Sequence, residues 1–548
     1  MCLLSAAMRH SWPWLCAIVS GTLLALCYPP ADLGGLSWLA LTPLVYALWF
    51  SEPRQKREIL RLLSLGYATG IVYMLGSLHW LITVTVAGWI ALCLFLGTYP
   101  ALWALFVATV AKPQQSPSEA KPIWLKSWNN LRVAVLAAAA WTALEWLRGV
   151  VFTGFGWNTL GVALHHNLAL IQICDITGVG GLSFLIAMVN MMIVITVKRL
   201  QMEIGRDKLR PHYDFNLTVI LVVLAFGYGV RQLFRPAPAA EPLSIAAVQT
   251  NVPVNEKRDL ENEERILDLH LRLTETALAV KPDLLIWPEA ATPRPLFSDQ
   301  RNWDVVRGLA EKHSGDFLLG TVHFDQFGDY NSAVLLTEKA TTAQIYNKIH
   351  LVPFGEYVPM RDYFPLFAWI VGDLVPDDFD FGREPLVLAM SKKPIKIGPL
   401  ICFEDTLGDL TRQFALRGAQ VLVTMTNDGW FLRSAGSEQH AIHAQFRCAE
   451  TKLPMVRAAN TGVSCVIDRF GRIVSRLRDE KGSTFTQGVL FAQLDVPREP
   501  QTTFYTRYGE LFSLVCLAAS VSAWGYYVMR RRSQSACATD ADTKSFPS

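Results

Sequence analysis

The chain has 548 residues, 51% of them hydrophobic and only 18% charged, with 17 tryptophans and a mean hydropathy of +0.26. That balance excludes an ordinary set of soluble domains and points to a membrane protein. A formal charge of +3 spread over this length, with no basic run interleaved with aromatics, also excludes nucleic acid as a partner.

Seven apolar segments precede residue 240 and one follows residue 505, at 11–28, 34–50, 60–82, 84–111, 131–148, 176–198, 217–234 and 509–529. Each approaches the ~20 residues that cross a bilayer's hydrocarbon. Lys and Arg fall in alternate loops: Arg9; Arg54, Lys56, Arg57 and Arg61; Lys112, Lys121, Lys126 and Arg132; Lys198, Arg199, Arg206, Lys208 and Arg210; Arg530, Arg531 and Arg532. The opposite loops, near 29–33 and 83, carry none. The positive-inside rule therefore predicts eight spans, both termini in the cytoplasm, and the long segment before the last span on the outer face. A cleaved signal peptide, with Arg9 as basic flank and 11–27 as core, is the alternative for the first segment. Against it, Leu26 is bulky where processing before Cys27 wants a small residue, and removal would invert the loop charges that follow. The expected layout is a seven-span domain over 1–240, an α/β domain over 241–500, an eighth span over 505–532 and a polar cytoplasmic tail over 533–548.

Between 243 and 498 the pattern changes to short β-branched runs alternating with helical periods. Strands are predicted at 243–248, 283–287, 316–322, 332–336, 395–402, 420–425, 464–467 and 489–494, with helices at 259–279, 300–313, 407–417 and 437–452. This reads as stacked sheets covered by helices. Of the ten cysteines, none forms a C-x-x-C pair, and no motif for a metal or organic cofactor is present. Cys16, Cys27, Cys93, Cys174 and Cys516 belong to the apolar spans, where cysteine acts as a small hydrophobe. Cys448 and Cys465 read as buried in a helix and a strand; a disulfide from either to Cys402 would remove the chemistry described next.

Three blocks arrive at or just past strand-like runs: Trp287-Pro288-Glu289, Tyr346-Asn347-Lys348 and Ile401-Cys402-Phe403-Glu404-Asp405. A thiol is a strong nucleophile only once deprotonated, and its ordinary pKa near ~8.5 leaves little thiolate at neutral pH. Glu289 supplies a base, Lys348 a cation for the developing oxyanion, and the Phe403 backbone N–H a second donor. No G-x-S-x-G or H-E-x-x-H motif offers a serine-hydrolase or zinc-protease reading.

Together with His350-Leu351-Val352-Pro353-Phe354-Gly355-Glu356-Tyr357, these blocks resemble the Glu–Lys–Cys triad of the nitrilase, or carbon–nitrogen hydrolase, superfamily. Coupled to eight spans, they resemble the apolipoprotein N-acyltransferase family. The likeness extends to Glu145-Trp146-Leu147-Arg148-Gly149, Thr153-Gly154-Phe155-Gly156-Trp157-Asn158 and Gly178-Val179-Gly180-Gly181-Leu182-Ser183-Phe184, and downstream to Thr426-Asn427-Asp428-Gly429-Trp430-Phe431 and Asn460-Thr461-Gly462. The resemblance implies an extracytoplasmic α-β-β-α sandwich, a bacterial inner-membrane location and a thioester acyl-enzyme at Cys402. It further implies a phospholipid donor such as phosphatidylethanolamine, and as acceptor the free amine of an S-diacylglyceryl cysteine that begins an apolipoprotein. Glu356 and Glu404 would support the triad. Where family members can carry a tryptophan, this chain has Lys257-Arg258, so no aromatic role is carried over there.

Other residues have plainer readings beside the functional one. Asn427, Asp428 and Trp430 are candidates for shaping the pocket, although Asn427-Asp428-Gly429 equally makes a turn. His440, His443 and Arg447 share a helical face and read as packing, since two histidines are too few for a metal. Asn460 reads as a turn residue. The aromatic-rich stretch at 360–375, including Phe367 and Trp369, is expected to face the membrane and admit lipid, with packing on the protein's own core as the alternative. Two rival functions stay open: a membrane-tethered amidase acting on a soluble amide, and a transporter or scaffold in which Glu145 and Arg148 are the main charges within a span.

Overall fold

The computed structural model describes residues 2–53, 56–113, 123–203, 211–257, 259–337, 340–361, 363 and 377–543. Among them, six helical stretches are long and apolar enough to cross a membrane: Glu58–Ser77, Val86–Thr109, Leu125–Val150, Val179–Glu203, Tyr213–Leu233 and Leu511–Gln534. The first expected span is the helix Cys2–Leu26. The second differs from expectation: 34–50 splits into a turn, Gly34–Trp38, and a helix of 9 residues, Thr42–Phe50, with proline in its first turn. At ~1.5 Å per residue that helix is about 14 Å long, half of a bilayer's hydrocarbon. Apolar composition marks the segment as buried but does not make it one continuous helix. Close packing in this region depends on small residues: a Cβ on Gly66 would meet Pro100 O at 2.5 Å, and one on Gly70 would meet Gly97 Cα at 2.8 Å.

Two six-stranded sheets form the α/β domain. The first contains β1 (Ala240–Gln249), β2 (Leu284–Ile286), β3 (Asp316–Asp325), β4 (Gly328–Thr337) and β5 (Thr342–Asn347); the second contains β6 (Leu388–Ala389), β7 (Lys396–Ile401), β8 (Val421–Thr426), β9 (Met455–Ala459), β10 (Cys465–Ile467) and β11 (Ile473–Arg476). The last strand, β12 (Gly488–Pro497), returns to the first sheet, giving the orders β12-β1-β2-β3-β4-β5 and β11-β10-β9-β8-β7-β6. Strands β1–β2–β3 and β7–β8–β9 pair in parallel and the flanking strands antiparallel.

The period-2 pattern decides what each strand face touches. Leu243, Ile245 and Ala247 of β1 share a core with Ile397, Ile401, Val421 and Val423 of the second sheet, whereas Ala246 and Val248 pack with Val306, Leu309 and Ala310 of the helix Gln300–Lys312. The central parallel strand β8 is buried at every position because both of its faces are covered. On the second sheet's outer side lie the helices Gly408–Leu416 and Gly436–Thr451. The latter is buried along nearly its whole length: Ala441, Ala444 and Cys448 join the sheet core, while Ile442, Phe446 and Ala449 join the core of the membrane domain.

All eight predicted strands occur, and the four predicted helices are Glu263–Leu278, Gln300–Lys312, Gly408–Leu416 and Gly436–Thr451. Phe367 and Trp369, with most of the stretch expected to face the membrane, lie outside the described residues.

Candidate active site

Three strand ends of the two sheets converge. After β2, Trp287 still pairs with Leu318, then Pro288, which has no N–H, ends the ladder and turns the chain to Glu289. This turn lies against β3 so closely that a Cβ on Gly320 would meet Pro288 O at 2.5 Å and Glu289 Cα at 2.7 Å. Lys348 follows β5, and its N–H donates to Asn331 O at 2.8 Å. Cys402 follows β7 and holds a left-handed backbone, φ 52°, at the head of the turn Cys402–Thr406. A non-glycine residue there stores strain of about 1–3 kcal/mol, which the surrounding bonds must hold.

Lys348 is only 1% exposed, and its Nζ lies 2.9 Å from Glu356 and 3.6 Å from Glu289 Oε1. Burial alone would lower its pKa, but the Glu356 and Glu289 carboxylates outweigh burial and hold the ammonium above its ordinary value. Asn331 bridges the two acids, its Nδ2 donating to Glu289 Oε1 at 2.7 Å and to Glu356 Oε1 at 2.9 Å. Glu356 also accepts from Val352 N at 2.8 Å, which pins its loop. Burial and the Glu289 carboxylate push the Cys402 thiol well above its ordinary pKa against the pull of Lys348. Cys402, Cys448 and Cys465 are free thiols.

Glu404 connects the lysine loop to the cysteine turn across the two sheets. One oxygen accepts from Tyr346 OH at 2.8 Å, Ile349 N at 2.8 Å and His350 N at 3.1 Å, and the other from Ile401 N at 2.8 Å. Burial raises its pKa to about 7, opposed by Lys348 and these donors. Lys257 also reaches the site: its Nζ donates to Glu289 O at 3.3 Å and Ala290 O at 2.9 Å, holding the backbone of the glutamate turn. Burial lowers the pKa of Lys257 to about 8.

Behind the cysteine turn lies a buried network of charges. His440 places Nε2 2.9 Å from Asp405 and 3.2 Å from Cys402 O, and Nδ1 2.8 Å from Asp428. Arg457 meets Asp405 at 2.8 Å and Asp428 at 3.4 Å, and also donates to Val463 O. Burial opposes a charge on His440, yet Asp405 and Asp428 raise its pKa to about 9. The histidine read as packing is therefore a partner of the cysteine turn.

A stability effect follows from this shift. The folded pKa of about 9 exceeds an unfolded value near ~6.5, so the contribution of His440 is full below ~6.5 and lost as pH rises through about 9. Such a shift corresponds to roughly 3 kcal/mol. The gap in denaturant stability between the wild type and His440→Gln, measured in detergent, should shrink steadily from pH 6 to pH 10; a gap independent of pH would contradict the charged histidine.

Asn427 accepts from Gly429 N at 3.3 Å and Asn460 Nδ2 at 2.8 Å, so its side chain builds the turn. Asn460 in turn bonds Thr250 and Val252, tying that turn to the start of the domain. Trp430 O accepts from Thr83 of the membrane domain at 3.2 Å. Phe403 stacks on Phe155 and Trp157 of the membrane domain, at ring separations of 6.4 and 6.1 Å, so the cysteine turn lies where the two domains meet.

One amide gathers five of the hydrogen bonds at that junction. Gln439 Oε1 accepts from Trp80 Nε1 at 2.9 Å, Trp157 Nε1 at 2.8 Å and Asn158 Nδ2 at 3.0 Å, while its Nε2 donates to Pro29 O at 2.7 Å and Ser77 O at 2.9 Å. Asn331, Asp405, His440, Arg457 and Gln439 were given no role in the site by the sequence reading. Asp405 was within reach, adjacent to Glu404 in the cysteine block, whereas the others carry no local signal.

Residues 20–192 match the model of the apolipoprotein N-acyltransferase N-terminal domain, and residues 244–502 match the carbon-nitrogen hydrolase model. Among solved structures, a CN-hydrolase superfamily protein from Xanthomonas campestris is similar at 18% identity, covering 46% of this chain and 91% of its own, with a TM-score of 0.35. An apolipoprotein N-acyltransferase from Sinorhizobium medicae is 28% identical over 540 residues, covering 93% of this chain and 96% of its own. That from Geobacter metallireducens is 34% identical over 519 residues, 92% of this chain and 94% of its own, and on this full-length similarity the chain belongs to the apolipoprotein N-acyltransferase family.

Proposed function

We propose that this membrane-bound member of an acyltransferase family moves a fatty acyl chain from a phospholipid, through a thioester on Cys402, to the N-terminal amine of an S-diacylglyceryl cysteine on an apolipoprotein. Catalysis falls to Glu289, Lys348 and Cys402, with Glu356, Asn331 and Glu404 as positioning residues. The observation that carries the reading is the junction: a thiol with a carboxylate and an ammonium beside it sits in a turn whose next residue, Phe403, stacks on the membrane domain. Lipid reaches such a turn along the protein's apolar part without crossing water.

The raised thiol pKa means that Cys402 rests protonated and needs a base at the moment of attack. Glu289 takes the thiol proton as sulfur bonds to the ester carbonyl, and Lys348 with the Phe403 N–H stabilises the oxyanion. The ester C–O bond breaks, Glu289 returns the proton to the leaving oxygen, and lysophospholipid departs. The acceptor amine then attacks the thioester and gives a proton to Glu289; the C–S bond breaks and the thiol is re-formed. Water must be excluded between the steps, because hydrolysis would discard the acyl group.

The accompanying topology is eight membrane crossings, the second made by the broken apolar segment 34–50 as a whole, with both termini cytoplasmic, the α/β domain extracytoplasmic in the bacterial inner membrane, and domain limits near 240 and 500. The α/β domain forms a closed α-β-β-α sandwich. The two sheets with a shared core, covered by helices outside, support that reading.

Intact mass on protein incubated with phosphatidylethanolamine vesicles provides the test. Wild type should gain the mass of one acyl chain, released by neutral hydroxylamine, and Cys402→Ser should show no hydroxylamine-labile gain. Absence of an adduct from wild type across several phospholipids, with Cys402 demonstrably free, would favour an amidase instead.

A further inference from the structure

We propose that Asp32, His165 and His166 form a binding site for one divalent transition-metal ion of the zinc type, at the junction-facing edge of the membrane domain. The three side chains come from two loops 133 residues apart, one following the first helix and one following the turn Leu160–Leu164. Asp32 Oδ1 lies 2.8 Å from His165 Nε2 and Oδ2 lies 2.8 Å from His166 Nε2, and the ligand atoms of all three residues fall within 4.8 Å of one another. Two imidazoles and a carboxylate are a donor set that suits zinc, leaving a fourth position for water.

Backbone bonds fix both loops before any ion arrives. Asp32 holds a left-handed φ of 55° with its N–H on Tyr28 O at 3.0 Å, and Leu33 N–H returns to Leu26 O at 2.9 Å. Across the gap, His165 N–H donates to Val162 O and Leu168 N–H to His166 O, both at 3.2 Å. The His165 imidazole is buried and that of His166 exposed, so one side of the cluster is closed by protein and the other is open to an incoming ion. Without metal, each Nε2–H donates to one carboxylate oxygen. With metal, both imidazoles carry their proton on Nδ1 and present the Nε2 lone pair to the ion.

The site sits next to the amide that joins the domains. Gln439 bonds Pro29 of the first loop and Asn158 just before the second, and Tyr28 OH donates to Thr159 O at 3.0 Å. A metal stapling these loops would stiffen the platform that holds the helix Gly436–Thr451. This inference stands independently of the acyl-transfer reading.

The test uses the full chain in detergent, stripped with a chelator and titrated with ZnCl2, with bound zinc counted by mass spectrometry after desalting. A Cys402→Ser background removes one competing thiol. Wild type should bind about one equivalent more than His166→Ala, with affinity at least ~10-fold higher. Zinc should raise the melting temperature of wild type and leave that of His166→Ala unchanged, while His166→Cys, which keeps a ligand, should retain uptake. The exposed position of His166 keeps the alanine variant folded, which its zinc-free melting temperature checks. Equal uptake by wild type and His166→Ala, or no zinc-dependent stabilisation of wild type, would overturn the site.

Discussion

Replacing Lys348 by methionine is expected to slow formation of the acyl-enzyme by about 10²–10³-fold and to lower stability by about 3–5 kcal/mol. The first figure is that for removing one oxyanion donor from a preorganised site. The second arises because methionine preserves the volume but leaves Glu289 and Glu356, now without the ammonium 3.6 and 2.9 Å away, as close carboxylates in a buried site. Asn331 still donates to both, which spares part of the cost. The double variant Lys348→Met/Glu356→Gln should regain part of the lost stability by removing one carboxylate, and none of the lost rate. Denaturant melts in detergent and the time course of the acyl adduct separate the two quantities. Wild-type acylation by the single variant would remove lysine from the proposed chemistry; full rate recovery in the double variant would mean that the lysine serves only to neutralise charge.

Gln439→Leu should destabilise the protein by on the order of 4 kcal/mol, a large effect for an uncharged side chain. Five hydrogen bonds end on this one amide, and each buried group left without a partner costs about 1–3 kcal/mol, with some recovered by relaxation. The loss falls at the contact between the membrane domain and the helix carrying His440, which touches Cys402 O. The variant should therefore also change the rate at which Cys402 reacts with a small alkylating agent, a reading that general destabilisation under native conditions would not alter. Unchanged stability together with an unchanged alkylation rate would show that the amide is not what holds the domains together.

Much of the layout was legible in the sequence because its causes act along the chain. Hydropathy runs and alternate basic loops mark candidate spans from residues close in sequence, and β7 and β8 announce themselves as short, mostly apolar runs. The strands left unread had signals that depend on distant partners. In β9, the run Met455–Ala459 contains Arg457, whose charge looks unfit for a core until Asp405 and Asp428 are seen beside it. Strand β5 is an edge of its sheet, half-covered and polar along much of its length, so the sequence marks only its end at Tyr346 and the pairing with β4 gives its extent. The opposite case is 34–50, where strong apolarity suggested one continuous helix although a turn interrupts it.

In the site, the sequence by itself determined which residue types arrive at strand ends: Glu289 behind a proline, Lys348 after a tyrosine strand, and Cys402 heading an acidic turn. Tertiary structure decided what surrounds them. Asn331 lies 42 residues from Glu289, His440 lies 38 from Cys402, and Gln439 lies 410 from Pro29. A buried charge or amide is tolerated only when partners complete its hydrogen bonds, and those partners are chosen by proximity in the folded chain rather than by position along it. Local pattern therefore determined which reactive residues arrive at the proposed site, while packing across two sheets and a membrane domain decided how they are held.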